Sequence, residues 1–140
     1  MSEPLTILLV EDDDVAAESV MRSLKQQGLG YRVVWAEDGQ IALAALRGQD
    51  PARRLHRPLV TLLDLNMPRM NGFEFLQALR ADPQLCAEVV FVLTTSNTDT
   101  DRTRAYHGQI AGYMVKSAVG PQFSKLAHLL MSYEAAVKLP

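Results

Sequence analysis

The sequence predicts an α/β fold: a doubly wound, five-stranded parallel sheet covered by helices on both faces. Three observations carry this. Five short apolar runs lack the alternation of half-exposed strands, as strands buried on both faces do. Segments with apolar residues at helical spacing lie between them. The runs stop abruptly in polar or charged residues. Strands joined by right-handed helical crossovers run parallel, and ligands of such sheets sit beyond the carboxyl ends of the strands.

Leu5 to Val10 is almost continuously apolar and stops at Glu11, Asp12, Asp13 and Asp14, as a buried strand does on reaching a rim. Ala17, Val20, Met21 and Leu24 recur at helical spacing, and Gly28 is placed to end that helix. Tyr31 to Ala36 reads as the second strand, Asp38 as the cap of a helix reaching about Leu46. Arg47 to Pro58 is a polar, proline-bounded connection, longer than the usual few residues. Leu59 to Leu63 is the third strand; it ends at Asp64 and enters a turn-rich loop of Asn66, Met67, Pro68, Asn71 and Gly72. Asn71 with Glu74 resembles a capping box and opens a helix carrying Phe75, Leu76 and Leu79. Val89 to Leu93 is the fourth strand, followed by Thr94, Thr95 and Ser96. The helix Asp99 to His107 offers only Ala105 and Tyr106 as core contacts and is expected to pack weakly. Ile110 to Val115, ending in Lys116, is the fifth strand. Pro121 suits a first helical position, with Phe123, Leu126, Ala127 and Leu130 as the inward stripe. Leu129, Tyr133 and Ala136, extended by Met131, form a second stripe that fits either core or a homodimer face shared with the neighbouring strand.

Bulk properties narrow function by exclusion. A chain of 140 residues fits one domain over residues 1–140 with a short C-terminal tail, and its 48% hydrophobic and 21% charged residues are those of a globular fold that needs no staples. A net charge of −2 without a long basic run gives no footprint for nucleic acid or an anionic membrane. One cysteine, Cys86, allows no internal disulfide and reads as a small apolar filler. The apolar run at Ile7 to Val10 is too short for a signal peptide, and no stretch approaches the roughly 20 apolar residues of a membrane span. The cytoplasm is the expected location. His56, His107 and His128 fall on a loop, the weak helix and the last helix, which makes no metal cluster.

The strand ends carry the chemistry. Strands one, three, four and five end in Glu11 and Asp12, in Asp64, in Thr94 and in Lys116, all at one edge. Carboxylates about 4 Å apart repel by about 4 kcal/mol at an effective dielectric of about 20, so one lysine leaves a deficit that protonation or a cation must fill. Oxygen-only ligands in an open site suit Mg²⁺ better than Zn²⁺. With a lysine and a hydroxyl nearby, the set is suited to phosphoryl transfer, with Asp64 as the nucleophile that forms an aspartyl phosphate. Thr94 would donate to the new phosphate and draw its strand end and the weak helix toward the site. Taken singly, the acidic run fits a solvated rim, Asp64 a turn, Thr94 a strand end and Lys116 a surface lysine. Their joint placement at four strand ends is what favours a site.

With these residues in view, the chain resembles the receiver domains of bacterial two-component response regulators over nearly its whole length. The matching pieces are ILLVEDD at 7–13, LLDLNMPRMNG at 62–72, VLTTS at 92–96 and GYMVK at 112–116. The resemblance implies a flavodoxin-like receiver fold with strand order 2-1-3-4-5. It implies that Asp64 accepts a phosphoryl group from a sensor histidine kinase and that Glu11, Asp12, Asp64 and the Asn66 backbone carbonyl hold Mg²⁺. It makes Thr94 the switch hydroxyl, Tyr113 the switch aromatic and Lys116 the phosphate-binding lysine. Self-catalysed phosphorylation and slow autodephosphorylation come with it, with output through a downstream or phosphotransfer protein. Ser117 stands where the family usually has proline, which puts the family's cis peptide after the lysine in question. That departure, the long Arg47 to Pro58 loop, the LTTS segment and the tail ending in Leu139 and Pro140 resemble the small regulators that partner bacterial phytochrome histidine kinases.

Other functions fit less well. A haloacid-dehalogenase-type phosphatase needs a second aspartate two residues after its nucleophile, and Asn66 stands there. A flavodoxin-like carrier needs a phosphate cradle in its first turn, where Glu11 to Asp14 would repel the flavin phosphate. A pseudo-receiver that works without phosphorylation and an intermediate in a multi-step phosphorelay remain as alternatives.

Overall fold

The computed structural model describes residues 4–118 and 123–140; the helix start expected at Pro121 lies outside the described residues. The strands are β1 (Thr6–Val10), β2 (Arg32–Ala36), β3 (Leu59–Leu63), β4 (Val90–Thr94) and β5 (Gly112–Val115). The helices are α1 (Asp14–Gln26), α2 (Gly39–Leu46), α3 (Gly72–Ala81), α4 (Asp99–His107) and α5 (Ser124–Ala136), and a 3₁₀ turn, Lys116–Ala118, follows β5. All pairings are parallel, in the order β2-β1-β3-β4-β5. The doubly wound sheet is as the sequence predicts.

Side-chain alternation along the central strands builds two cores. Leu8, Val10, Leu63, Val90 and Val92 point to one face, where Ala42, Leu43, Phe75, Leu76, Leu79 and Ala105 of α2, α3 and α4 cover them. Ile7, Leu9, Val60, Leu62, Phe91 and Leu93 point to the other, under Ala17, Val20 and Leu24 of α1 and Leu126, Ala127 and Leu130 of α5. Every residue of β1, β3 and β4 is buried, whereas β2 and β5 are half-open edges.

Several expectations shift. Thr94 is the last residue of β4, and β5 starts at Gly112 rather than Ile110, which stays buried just outside the strand. Tyr106 is 48% exposed and leaves Ala105 as the one buried residue of α4, because the helix is polar on nearly all sides. Leu129 and Tyr133 pack partly against the second core, with Tyr133 edge-on to Phe91 at 5.1 Å, so the second stripe of α5 is mostly occupied within the chain. Cys86 is exposed and not an apolar filler. The long connection is ordered by side chains. Arg53 pairs with Asp50 and donates from Nε to the Trp35 carbonyl on the open edge of β2, and both terminal nitrogens of Arg57 bind the buried carboxylate of Glu88. No helix among the described residues is long and apolar enough to cross a membrane.

Candidate functional site

Register sets the geometry. Val10 lies beside Leu63 and Ala36, so the next residues, Glu11 and Asp64, leave the sheet side by side. Backbone bonds hold both ends: Glu11 N–H donates to the Ala36 carbonyl at 3.1 Å and Asp64 N–H to the Val10 carbonyl at 3.0 Å. Thr94 pairs with Val115 in β5, which places Lys116 one residue beyond the same edge. Carboxylate oxygens of Glu11, Asp12 and Asp64 all lie within 4.8 Å of one another, with Glu11 and Asp64 buried and Asp12 exposed. Lys116 Nζ sits 2.5 Å from Glu11 Oε1 and 4.0 Å from Asp64 Oδ2.

Electrostatics follow from the crowding. Burial, followed by the neighbouring Asp64, pushes the Glu11 carboxyl up to about 7, against the pull of Lys116. One ammonium among three carboxylates leaves negative charge uncompensated, and the donors are all oxygen, so the residues fit a hard divalent cation. The acidic run divides its labour: Glu11 and Asp12 enter the cluster, while Asp13 caps α1, its Oδ1 accepting from Val15 N–H at 2.9 Å.

A second group of residues hangs from the end of β4. Thr94 is fully buried and its Oγ1 accepts from Ser96 N–H at 3.3 Å. The half-buried Tyr113 donates its hydroxyl to the Ser96 carbonyl at 3.0 Å, and Ser96 Oγ donates to Asp101 in the first turn of α4 at 2.6 Å. Thr94, Tyr113 and the N-terminus of α4 are thus tied through Ser96, a residue to which the sequence reading gave no role. Among the described residues the cis peptide is Arg57–Pro58, so the Lys116–Ser117 bond is trans.

Three supports of the site escaped sequence reasoning. Trp35 Nε1 donates to the Glu11 carbonyl at 2.7 Å, an edge-strand contact without periodic signal. Gly72 must be glycine, since a Cβ there would come within 2.7 Å of the Asp64 carbonyl oxygen and the Leu65 Cα. Asp38, read as a cap, does accept from Ile41 N–H at 2.9 Å, and it also pairs with Arg69 of the loop after Asp64. Asn66 lies exposed in that loop, its N–H 3.4 Å from Asp64 Oδ1. A separate cavity of about 600 Å³ under the long connection is lined by Arg53, Arg54, His56 and Arg57 and by none of the site residues. His107 and His128 lie on α4 and α5, away from the carboxylates in the chain's topology.

Residues 7–127 match the family described as the response regulator receiver domain. The chain is 39% identical over 114 residues to the probable methanogenesis regulatory protein FilR2 of Methanothrix harundinacea, covering 81% of this chain and 73% of that one. Among solved structures it is similar to the phosphorylated cyanobacterial phytochrome response regulator RcpA, with a TM-score of 0.84, 30% identity and 99% of each chain covered. It is likewise similar to the Mn²⁺-bound form of response regulator Rcp1, with a TM-score of 0.76, 31% identity and 98% and 99% covered.

Proposed function

The chain belongs to the response regulator receiver family, and from that premise we propose that it is a phosphorylation-dependent switch that takes a phosphoryl group from a histidine kinase onto Asp64 and signals by protein contact. The observation that carries this is the convergence of the Glu11, Asp12 and Asp64 carboxylates, within 4.8 Å, beside the Lys116 ammonium.

In the transfer, an Asp64 oxygen attacks phosphorus, the P–N bond to the kinase histidine breaks, and the imidazole nitrogen keeps the electron pair. Lys116 stands where its charge offsets that of the arriving phosphoryl oxygens. Mg²⁺, held by Glu11, Asp12, Asp64 and the Asn66 carbonyl, would neutralise carboxylate and phosphoryl charge; the all-oxygen cluster and the Mn²⁺-bound relative support that ion class. The Thr94 hydroxyl, which already accepts from Ser96, has its proton free to donate to the aspartyl phosphate. Movement of Thr94 toward the phosphate would pull on Ser96, and through it on Tyr113 and α4, changing the surface a partner reads.

The kinase we propose is a bacterial phytochrome. The likeness to the phytochrome response regulator RcpA over 99% of both chains supports it, together with the Ser117 substitution and the long connection. Incubation with Mg²⁺ and a small acyl phosphate should add about 80 Da, the mass of HPO₃, to the wild type and nothing to Asp64→Asn. An adduct that survives the substitution, or none on the wild type, removes the mechanism and leaves the pseudo-receiver. Phosphotransfer profiling against purified histidine kinases tests the partner, the phytochrome kinase being expected to react fastest.

A further inference from the structure

We infer that the Asp38–Arg69 ion pair is a positioning device for phosphoryl transfer, seating the loop between β3 and α3 on the N-terminus of α2 and so setting the metal affinity of the site. The inference rests on the proposed reading of Asp64 and its cation.

The loop from Asp64 to Gly72 is pinned at its base, where Gly72 N–H donates to the Leu65 carbonyl at 3.0 Å and Leu65 and Met67 are buried. Its far side touches a different element. Arg69 Nη2 lies 3.0 Å from Asp38 Oδ2, and the next residue, Met70, rests on the next residue of α2, Gly39, where a Cβ would meet Met70 Cγ at 2.8 Å. Two successive loop residues therefore dock on two successive residues at the start of α2. Asn66 and Pro68 are the exposed residues between these anchors.

The pair is built at some cost, which argues that it has a use. Arg69 has φ of +61°, in the left-handed region that side chains other than glycine disfavour. Asp38 is 2% exposed, a buried carboxylate whose oxygens are shared between the α2 cap and the arginine. The arginine side chain itself is 69% exposed, so it contributes little to the core and its loss should spare the fold. What the pair does restrain is the loop that carries Asn66, whose N–H lies 3.4 Å from Asp64 Oδ1. Residues that orient a metal's ligands without touching it are worth about tenfold to a hundredfold in metal affinity.

Two variants separate this role from general stability. Arg69→Gly removes the guanidinium while accepting the positive φ, and Asp38→Asn keeps an oxygen for the cap while losing the charge. Mg²⁺ binding can be followed by the fluorescence of Trp35, the one tryptophan, whose indole donates to the Glu11 carbonyl, and by the Mg²⁺ dependence of phosphorylation by an acyl phosphate. Each variant should raise the half-saturating Mg²⁺ concentration by about tenfold with the rate at saturating Mg²⁺ unchanged. The double variant should be no worse than either single one, and Arg69→Lys should recover part of the loss. In the metal-free protein, amides 65–71 should exchange faster in both variants. Wild-type Mg²⁺ affinity in both single variants, or a falling maximal rate with unchanged Mg²⁺ dependence, overturns the positioning role. Absence of phosphorylation in the wild type instead overturns the reading of Asp64 on which it rests.

Discussion

Lys116 is the residue on which the charge balance of the site turns. It contacts Glu11 and faces Asp64, and it lowers a Glu11 carboxyl that burial and Asp64 push up to about 7. Lys116→Ala should raise that carboxyl further and slow acyl-phosphate phosphorylation at saturating Mg²⁺ by about a hundredfold, the usual cost of one electrostatic partner. An unchanged rate would show that the ammonium has no part in the transfer. Gly72 makes a steric counterpart. A methyl group there would overlap the Asp64 carbonyl and the Leu65 Cα, so Gly72→Ala should cost about 1–3 kcal/mol in urea unfolding and slow phosphorylation by displacing Asp64. Wild-type values of both would contradict the packing described. The carboxylates and Lys116 were legible because the fold class puts strand-end residues together, and strand ends can be read as the places where apolar runs stop. Trp35, Ser96 and the Arg69 contact to Asp38 were not, because each depends on side chains meeting across elements far apart in sequence.

Among the five helices, α4 buries the fewest side chains. Only Ala105 is buried, and the helix is held at its start by the Thr98 cap and the Ser96–Asp101 bond and at its end by Arg80. That arginine, from the last turn of α3, donates to the carbonyls of Gly108 and Gln109 after α4 and of Cys86 and Glu88 before β4. One end of α4 is therefore anchored to the frame and the other to Ser96 and, through it, to Thr94 and Tyr113. Arg80→Ala should destabilise the fold by about 1–3 kcal/mol, since it strands the part-buried carbonyls of Gly108 and Glu88, and Arg80→Lys should recover little because an ammonium cannot span four acceptors. A loss below about 0.5 kcal/mol in chemical denaturation would mean that water replaces the guanidinium without penalty. The bounds of the helix and its weak packing were legible in the sequence, whereas its Thr98 cap was not read there. The Arg80 clamp was not, since a side chain that satisfies irregular backbone leaves no periodic trace. Strand limits moved by one or two residues for a related reason: Val89 and Ile110 are as apolar as the strands they adjoin, and only pairing to a neighbour decides where a strand begins.

At the scale of the molecule, the two edges of the sheet are treated differently. At the β2 edge, Arg53 of the long connection donates to the Trp35 carbonyl, which takes up one acceptor that edge-to-edge pairing would use. Among the described residues, no comparable side-chain bond reaches a β5 carbonyl; of the exposed apolar residues of the last segment, Met131 at 43% lies on the other flank of α5, near Gly28 to Tyr31, and Val137 at 40% comes just past the helix. The sequence stripe of Leu129 and Tyr133 is largely committed to the second core, so a homodimer through the last helix and its neighbouring strand would rest on the β5 edge and on Ala136, the exposed residue of that stripe. Such a face is small. It is expected to hold a dimer only at tens of micromolar protein, and phosphorylation is expected to change its strength because Tyr113 of β5 is tied through Ser96 to Thr94. Sedimentation velocity over that concentration range, with and without acyl phosphate and Mg²⁺, should show a dimer fraction that shifts on phosphorylation and that Ala136→Glu abolishes. A wild type that sediments as a monomer in both states would remove the face as a self-association surface and leave it to a different protein partner.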